Sequence, residues 1–292
     1  MPTRRFLPSV AVCALFACLL WTAHDASAGD YDFESYTVRK SAWEGHGVGS
    51  VVHRRTTQNM KMPQMPGGGR KMVTEVKETL KAITDTHYVI QVETTGMMGK
   101  QVTESREPKV VRINVERAKV KDAGEEKITI GGTEYTCLKK TVGDMTAFMD
   151  GMGGGMQGPG GQKMPVGSGT IWVHAKHGVL KTSTTMSMMG QQMTITMEAT
   201  KLNVTRKVGD KDYACREWTL DLGGMGGKRV MLDAAAIPGG TVEGSMSINN
   251  QGFSMESKEE LVAYVKKPLT ATTPSAKPEA KPAPKAPAKA GK

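Results

Sequence analysis

The sequence predicts a mainly β fold, an antiparallel meander of repeated hairpins wrapped into an open barrel or half-barrel, followed by a disordered basic tail. Three observations predict it. Apolar residues alternate with polar ones over short runs rich in β-branched side chains, as in His87-Tyr-Val-Ile-Gln-Val92. Turn residues punctuate those runs at short intervals, and a hairpin unit recurs in the second half of the chain. Helix signals are confined to Asp144–Met149 and Asp233–Ala236, each too short to present an apolar face.

The recurring unit begins on a Tyr-x-Cys strand. Ile130-Gly-Gly-Thr-Glu-Tyr135-Thr-Cys137 parallels Val208-Gly-Asp-Lys-Asp-Tyr213-Ala-Cys215, and in each the Tyr and Cys share one face of a strand. Further on, Met186-Ser-Met188 and Met193-Thr-Ile195-Thr-Met197, with a turn at 189–192, parallel Met246-Ser-Ile248 and Phe253-Ser-Met255 around 249–252. This reads as an internal duplication, with repeat 1 over 125–204 and repeat 2 over 205–267. Ahead of it, 29–124 form an N-terminal β region: Val48–Val52 leads a strand, 62–69 turn it, and Met72–Leu80 returns. The glycine-rich run 151–161 loses too much entropy on ordering to form a packed element, and 223–227 is its shorter counterpart.

The chain opens with Arg4 and Arg5, an apolar stretch over 6–23 and Ala26-Ser27-Ala28, the small-x-small pattern of a cleavable secretory signal. Residues 1–28 are therefore expected to leave, with cleavage at Ala28/Gly29 and a periplasmic or secreted product. A spanning helix and a lipid anchor at Cys18 are the competing readings. No later segment is apolar enough to cross a bilayer as a helix. After residue 28 the chain carries 37 basic and 28 acidic side chains. The excess is split between the domain and the 268–292 tail, where Lys277, Lys281, Lys285, Lys289 and Lys292 are spaced through prolines. That tail fits weak contact with anionic envelope polymers, or a solubilising spacer. Nothing points to a specific nucleic-acid partner.

Of the four cysteines, Cys13 and Cys18 lie in the signal, leaving Cys137 and Cys215 in an oxidising compartment. Two readings stand: a disulfide closing a long loop, or two buried thiols acting as small hydrophobes. Their matched places in the repeat favour the disulfide.

The unit of Tyr-x-Cys strand, Ile171-Trp-Val173 or Val230-Met-Leu232, then Pro238-Gly239-Gly240-Thr-Val242 and a hairpin resembles a pattern in uncharacterised exported bacterial proteins. More distantly it is similar to half-barrel lipoprotein carriers of the Lol type. The resemblance covers about residues 125–267 and departs in repeat 1, where Lys176-His177-Gly178 stands in place of Pro-Gly-Gly. It implies a concave sheet that binds an acyl chain or another hydrophobic ligand.

Candidate chemistry is sparse. His174-x-x-His177, joined by Met186 and Met188, is the candidate metal site. Met60-x-Met62-x-x-Met65 and Met149-x-x-Met152 have spacings at which thioethers hold Cu(I), and ordinary inward-facing methionines are the competing reading. Gly45-His-Gly-Val-Gly49 is a turn, since no strand-to-helix unit follows it. No hydrolase, metalloprotease or cysteine-nucleophile pattern occurs, and no cofactor is implied. The expectation is a non-enzymatic exported protein binding a hydrophobic small molecule or lipid. The alternatives are a soft-metal protein and an envelope structural or interaction protein.

Overall fold

The structure, a computed structural model, describes residues 37–61, 69–150, 166–188, 191–223, 226–250 and 253–269. The expected signal, most of the tail and the 151–161 run lie outside the described residues. A 13-stranded antiparallel sheet dominates. Its N-terminal wing holds β2 (Val51–Lys61), β3 (Arg70–Ile83), β4 (His87–Gly96) and β5 (Gly99–Pro108). Its larger wing starts at the opposite edge with β7 (Val120–Ile130), β8 (Thr133–Val142), β9 (Val166–His174), β10 (Gly178–Met188) and β11 (Gln191–Val208). It continues with β12 (Lys211–Asp221), β13 (Gly227–Asp233), β14 (Thr241–Asn250) and β15 (Phe253–Val265), which pairs with β2 and joins the wings. β1 (Val38–Lys40) and β6 (Val110–Arg112) form a separate ribbon.

The segment 125–204, expected as repeat 1, holds the end of β7, then β8, β9, β10 and most of β11, and 205–267 holds the end of β11 and β12 to β15. Asp144 caps the short helix α1 (Met145–Asp150), its Oδ1 accepting the Ala147 amide proton at 2.9 Å. The second expected helical turn, at 233–236, is instead the irregular turn between β13 and β14. There the Ala234 amide donates to Gly240 O and the Gly240 amide to Ile237 O, closing a tight loop rather than a helix.

Such a sheet cannot stay flat. Twelve spacings of about 4.8 Å would separate its edge strands by about 58 Å. Only residues 109–119 link β5 to β7, and fully extended they reach about 40 Å. Curling is visible directly: β7 and β11, like β11 and β15, lie four positions apart yet approach within 8 Å between Cα atoms. The sheet curls without closing, because β5 and β7 remain edges. Both edges are solvated and charged, and β7 also bulges between Asp122 and Glu125 around Gly124, so neither is a flat apolar template for aggregation.

Along β2, β14 and β15 the inward face is organised in three bands. Toward the β14–β15 hairpin, Met60, Met246, Ile248, Met255, Met193, Met186 and Leu222 belong to one core, which Phe148 of α1 and Trp218 complete. Toward the other end, Trp43, Val52, Leu80, Tyr88, Ile237 and Leu261 form a second. Between them runs a polar belt. Arg229 on β13 donates to Glu259 on β15 at 2.7 Å, crossing β14 at Gly244. A Cβ at 244 would stand 3.5 Å from the guanidinium, so alanine fits and a longer side chain would block that path. Arg54 donates to Glu78 at 3.1 Å, to Thr241 O at 3.3 Å and to Pro238 O, ordering the β13–β14 turn. Gly239 lies at φ +75° beside that guanidinium, where a Cβ would come within 2.7 Å of it.

The Arg229–Glu259 pair is the costly element of this belt, because the Arg229 side chain is only 8% exposed. Glu259→Ala is expected to lower stability by about 3–5 kcal/mol by leaving a buried guanidinium without its partner. Replacing both residues by methionine should cost much less than Glu259→Ala alone. Urea midpoints of wild type and both variants check the order.

Candidate functional site

The histidines singled out in the sequence do meet. His174 ends β9 and His177 lies in the turn to β10, their rings stacked with centroids 5.0 Å apart. Tyr135 sets its ring edge-on against both, at 5.4 and 5.5 Å. His174 Nδ1, however, accepts the amide protons of Lys176 and His177 at 3.1 and 3.2 Å. In the neutral ring the proton then sits on Nε2, and neither nitrogen offers a free lone pair to a metal. Burial, and after it the Lys176 charge, holds the His174 pKa below the ordinary value. His177 is lowered by burial and by His174, Arg216 and Lys176.

Methionine does not complete the site. Gly178 pairs with His174 at one end of the β9–β10 ladder, whereas Met186 pairs with Val166 at the other. Eight residues of strand, about 26 Å, separate them. The expected set of His174, His177, Met186 and Met188 is therefore corrected: Met186 is a core residue opposite Met193, and Met188 stands further along the same strand, paired with Gln191. Met60 is buried opposite Met255. Met62, Met65 and Met152 lie outside the described residues. Among the described residues no cluster of three His, Cys, Asp or Glu side chains could hold a metal ion.

The expected disulfide is also corrected. Cys137 belongs to the first core and Cys215 to the second, and both are free thiols. Both occupy the Cys position of a Tyr-x-Cys strand, but in different cores. Each Sγ lies near the carbonyl of the tyrosine two residues earlier, Tyr135 O at 3.7 Å and Tyr213 O at 3.5 Å. Burial pushes both thiols up to about 11, so neither is a thiolate near neutrality.

A groove of about 630 Å³ crosses β2, β15, β14 and β13 on the face turned away from the cores. Two cross-strand rows build it. One reads Thr57, Lys258, Ser245, Val230, and the other Asn59, Glu256, Ser247, Lys228. The depression has a simple origin: β14 turns Met246 and Ile248 inward and the short Ser245 and Ser247 outward. Longer side chains on β13 and β15 then stand higher on either side. At the next outward position of β14, Glu243 is paired with Arg206 and bounds that end.

Across the sheet from this groove, Asp233 and Thr241 sit in the polar belt, and Asp233 Oδ1 and Thr241 Oγ1 are buried without a hydrogen-bond partner among the described residues. Burial pushes Asp233 up to about 7, against the opposing pull of Arg229. Sequence reasoning missed both this carboxyl and the groove. The available signal for the groove was the alternation Gly244-Ser-Met-Ser-Ile248, small residues outward between apolar residues inward, but the lysines flanking it come from other strands.

No known family model and no curated protein matches the chain. Three solved structures align with it. A DUF1329 family protein from Desulfovibrio piger is 7% identical, with 73% of this chain and 84% of that one covered and a TM-score of 0.27. A putative outer membrane lipoprotein-sorting protein domain from Vibrio parahaemolyticus is 9% identical (77% and 87% covered, TM-score 0.28). A LolA superfamily protein from Nitrosomonas europaea is 8% identical (81% and 94% covered, TM-score 0.29). They include the carrier type named by the sequence resemblance, and at these scores the likeness carries no argument about what this chain binds.

Two outcomes are expected. Both thiols should resist iodoacetamide in the folded protein and alkylate in urea without reductant, whereas a bridged peptide in a non-reducing map would overturn the placement of the cysteines in separate cores. Asp233 has its folded-state pKa raised above the unfolded value of 3.8 to about 7. The folded protein therefore holds a proton that the unfolded chain has released, and this contribution is full below about pH 4 and lost as pH rises through 7. Asp233→Asn should remove that fall from the pH dependence of the urea midpoint.

Proposed function

We propose that the protein is a non-enzymatic exported binding protein that holds the apolar chain of a small ligand in the groove along β14. The observation that carries this reading is the groove's construction: a trough of outward serines between longer walls, about 630 Å³ in volume, within the range of sites that bind small molecules. Val230 and the methylene stems of the lysines make its sides largely apolar despite their charged ends. The inward face is already filled by two cores and a hydrogen-bonded belt, so a ligand takes the outer trough without unpacking the domain. The open, curled sheet serves as a rigid backing, since every groove strand is ladder-paired on both sides.

Filling the trough tests this directly. Ser245→Trp and Ser247→Trp change outward positions and should leave the melting temperature within a few degrees of wild type. Each is expected to weaken binding of a fluorescent fatty acid at least tenfold. Unchanged binding in both variants would place the ligand elsewhere, and no binding by wild-type protein, together with no ligand in native mass spectra, would sink the reading.

A further inference from the structure

The charges around the trough are unevenly disposed. Lys228 stands on β13 and Lys258 on β15, with the serine-bearing β14 between them. Two strand spacings put these ammonium-bearing strands about 10 Å apart, room for one extended hydrocarbon chain and not for several side by side. In the ladder, Lys258 lies opposite Ser245 and Lys228 opposite Ser247, so the two cations approach β14 from opposite sides at successive outward positions.

Glu256 is the acid of the lining and lies opposite Ser247. Two lysines and one glutamate leave the trough one positive charge in excess. Lys258 also reaches Glu260 at 3.7 Å, but both side chains are well exposed, and such a contact is easily exchanged for a ligand anion. Lys228 has no ion-pair partner among the described residues. Ser245 and Ser247 offer hydroxyl donors on the floor between the cations.

From this disposition we infer that the groove selects a single-chain monoanion, a long-chain carboxylic acid, with the carboxylate held between Lys228, Lys258 and the hydroxyls of Ser245 and Ser247. The inference rests on the binding reading above and adds the identity of the head group. A single surplus charge matches one carboxylate. A phosphate monoester, close to dianionic at neutral pH, exceeds that surplus and is repelled by Glu256. A multi-chain lipid exceeds the width.

Isothermal titration of the full chain with dodecanoate, dodecanol and dodecyl phosphate, each below its aggregation concentration, separates the possibilities. Dodecanoate is expected to bind at least tenfold more tightly than dodecanol, and the advantage should shrink as salt is raised. Lys228→Gln and Lys258→Gln should each reduce the ratio of dodecanoate to dodecanol affinity, and Glu256→Gln should strengthen binding of dodecyl phosphate. Equal binding of acid and alcohol, or an advantage untouched by both lysine variants, would overturn the head-group assignment while leaving the groove as a chain-binding site. Weakened dodecanol binding in Ser245→Trp and Ser247→Trp, read without any carboxylate present, keeps the location of the chain independent of that outcome. If none of the three ligands binds wild type, both the inference and the reading beneath it fail.

Discussion

The ladder between β2 and β15 is the seam on which the molecule depends. Every other neighbouring pair in the large sheet joins strands consecutive in the chain, whereas this one joins residues about 200 positions apart. Its loop-closure entropy is large and is offset only by what the union creates: a continuous curled sheet, a second core shared by Val52, Leu80, Val242 and Leu261, and a groove whose walls come from both wings. The seam is reinforced at one end. The Gly47 amide donates to Lys267 O at 2.9 Å, and the Lys267 amide to Ser50 Oγ at 3.0 Å. The buried His46 hydrogen-bonds Tyr264 across the same junction at 2.6 Å, with Trp43 edge-on to its ring.

β14 shows how one strand serves two purposes. Its inward residues Val242, Gly244, Met246 and Ile248 supply the second core, the path of Arg229 and the first core in turn. Its outward residues Ser245 and Ser247 form the trough. The period of two makes these roles independent, so the groove floor can change without disturbing the core, and the reverse. The buried Arg229–Glu259 pair sits directly between the two cores, where a polar contact of defined geometry specifies the alignment of β13, β14 and β15 more sharply than flexible methionine packing does.

Much of this architecture was legible in the sequence because strand formation and hairpin order are local. The alternation at His87–Val92, the strands β8 to β15 and the short capped helix at 145–150 all follow from residues within a few positions of one another. Where local rules ran out, the reading failed for identifiable reasons. Cys137 and Cys215 each occupy the Cys position of a Tyr-x-Cys strand, but β8 and β12 lie apart along one sheet, with the two thiols in different cores. His174 and Met186 are close in the chain, yet the strand between them carries them to opposite ends of the ladder. His46 looked like part of a turn, and only the fold buries it against Tyr264.

By itself the sequence determined the class of fold, the succession of hairpins and which face of each strand turns inward, since these depend on steric preference and on a hydrophobic period of two. The tertiary structure alone decided which residues stand beside one another across neighbouring strands. Register set Arg229 over Gly244 to meet Glu259, placed Lys228 and Lys258 on either side of Ser245 and Ser247, and kept the two thiols apart. The reason is physical: alternation tells a residue which side of the sheet to face, but which residue stands beside it depends on where the curled sheet finds its best closure, an energy summed over the whole molecule.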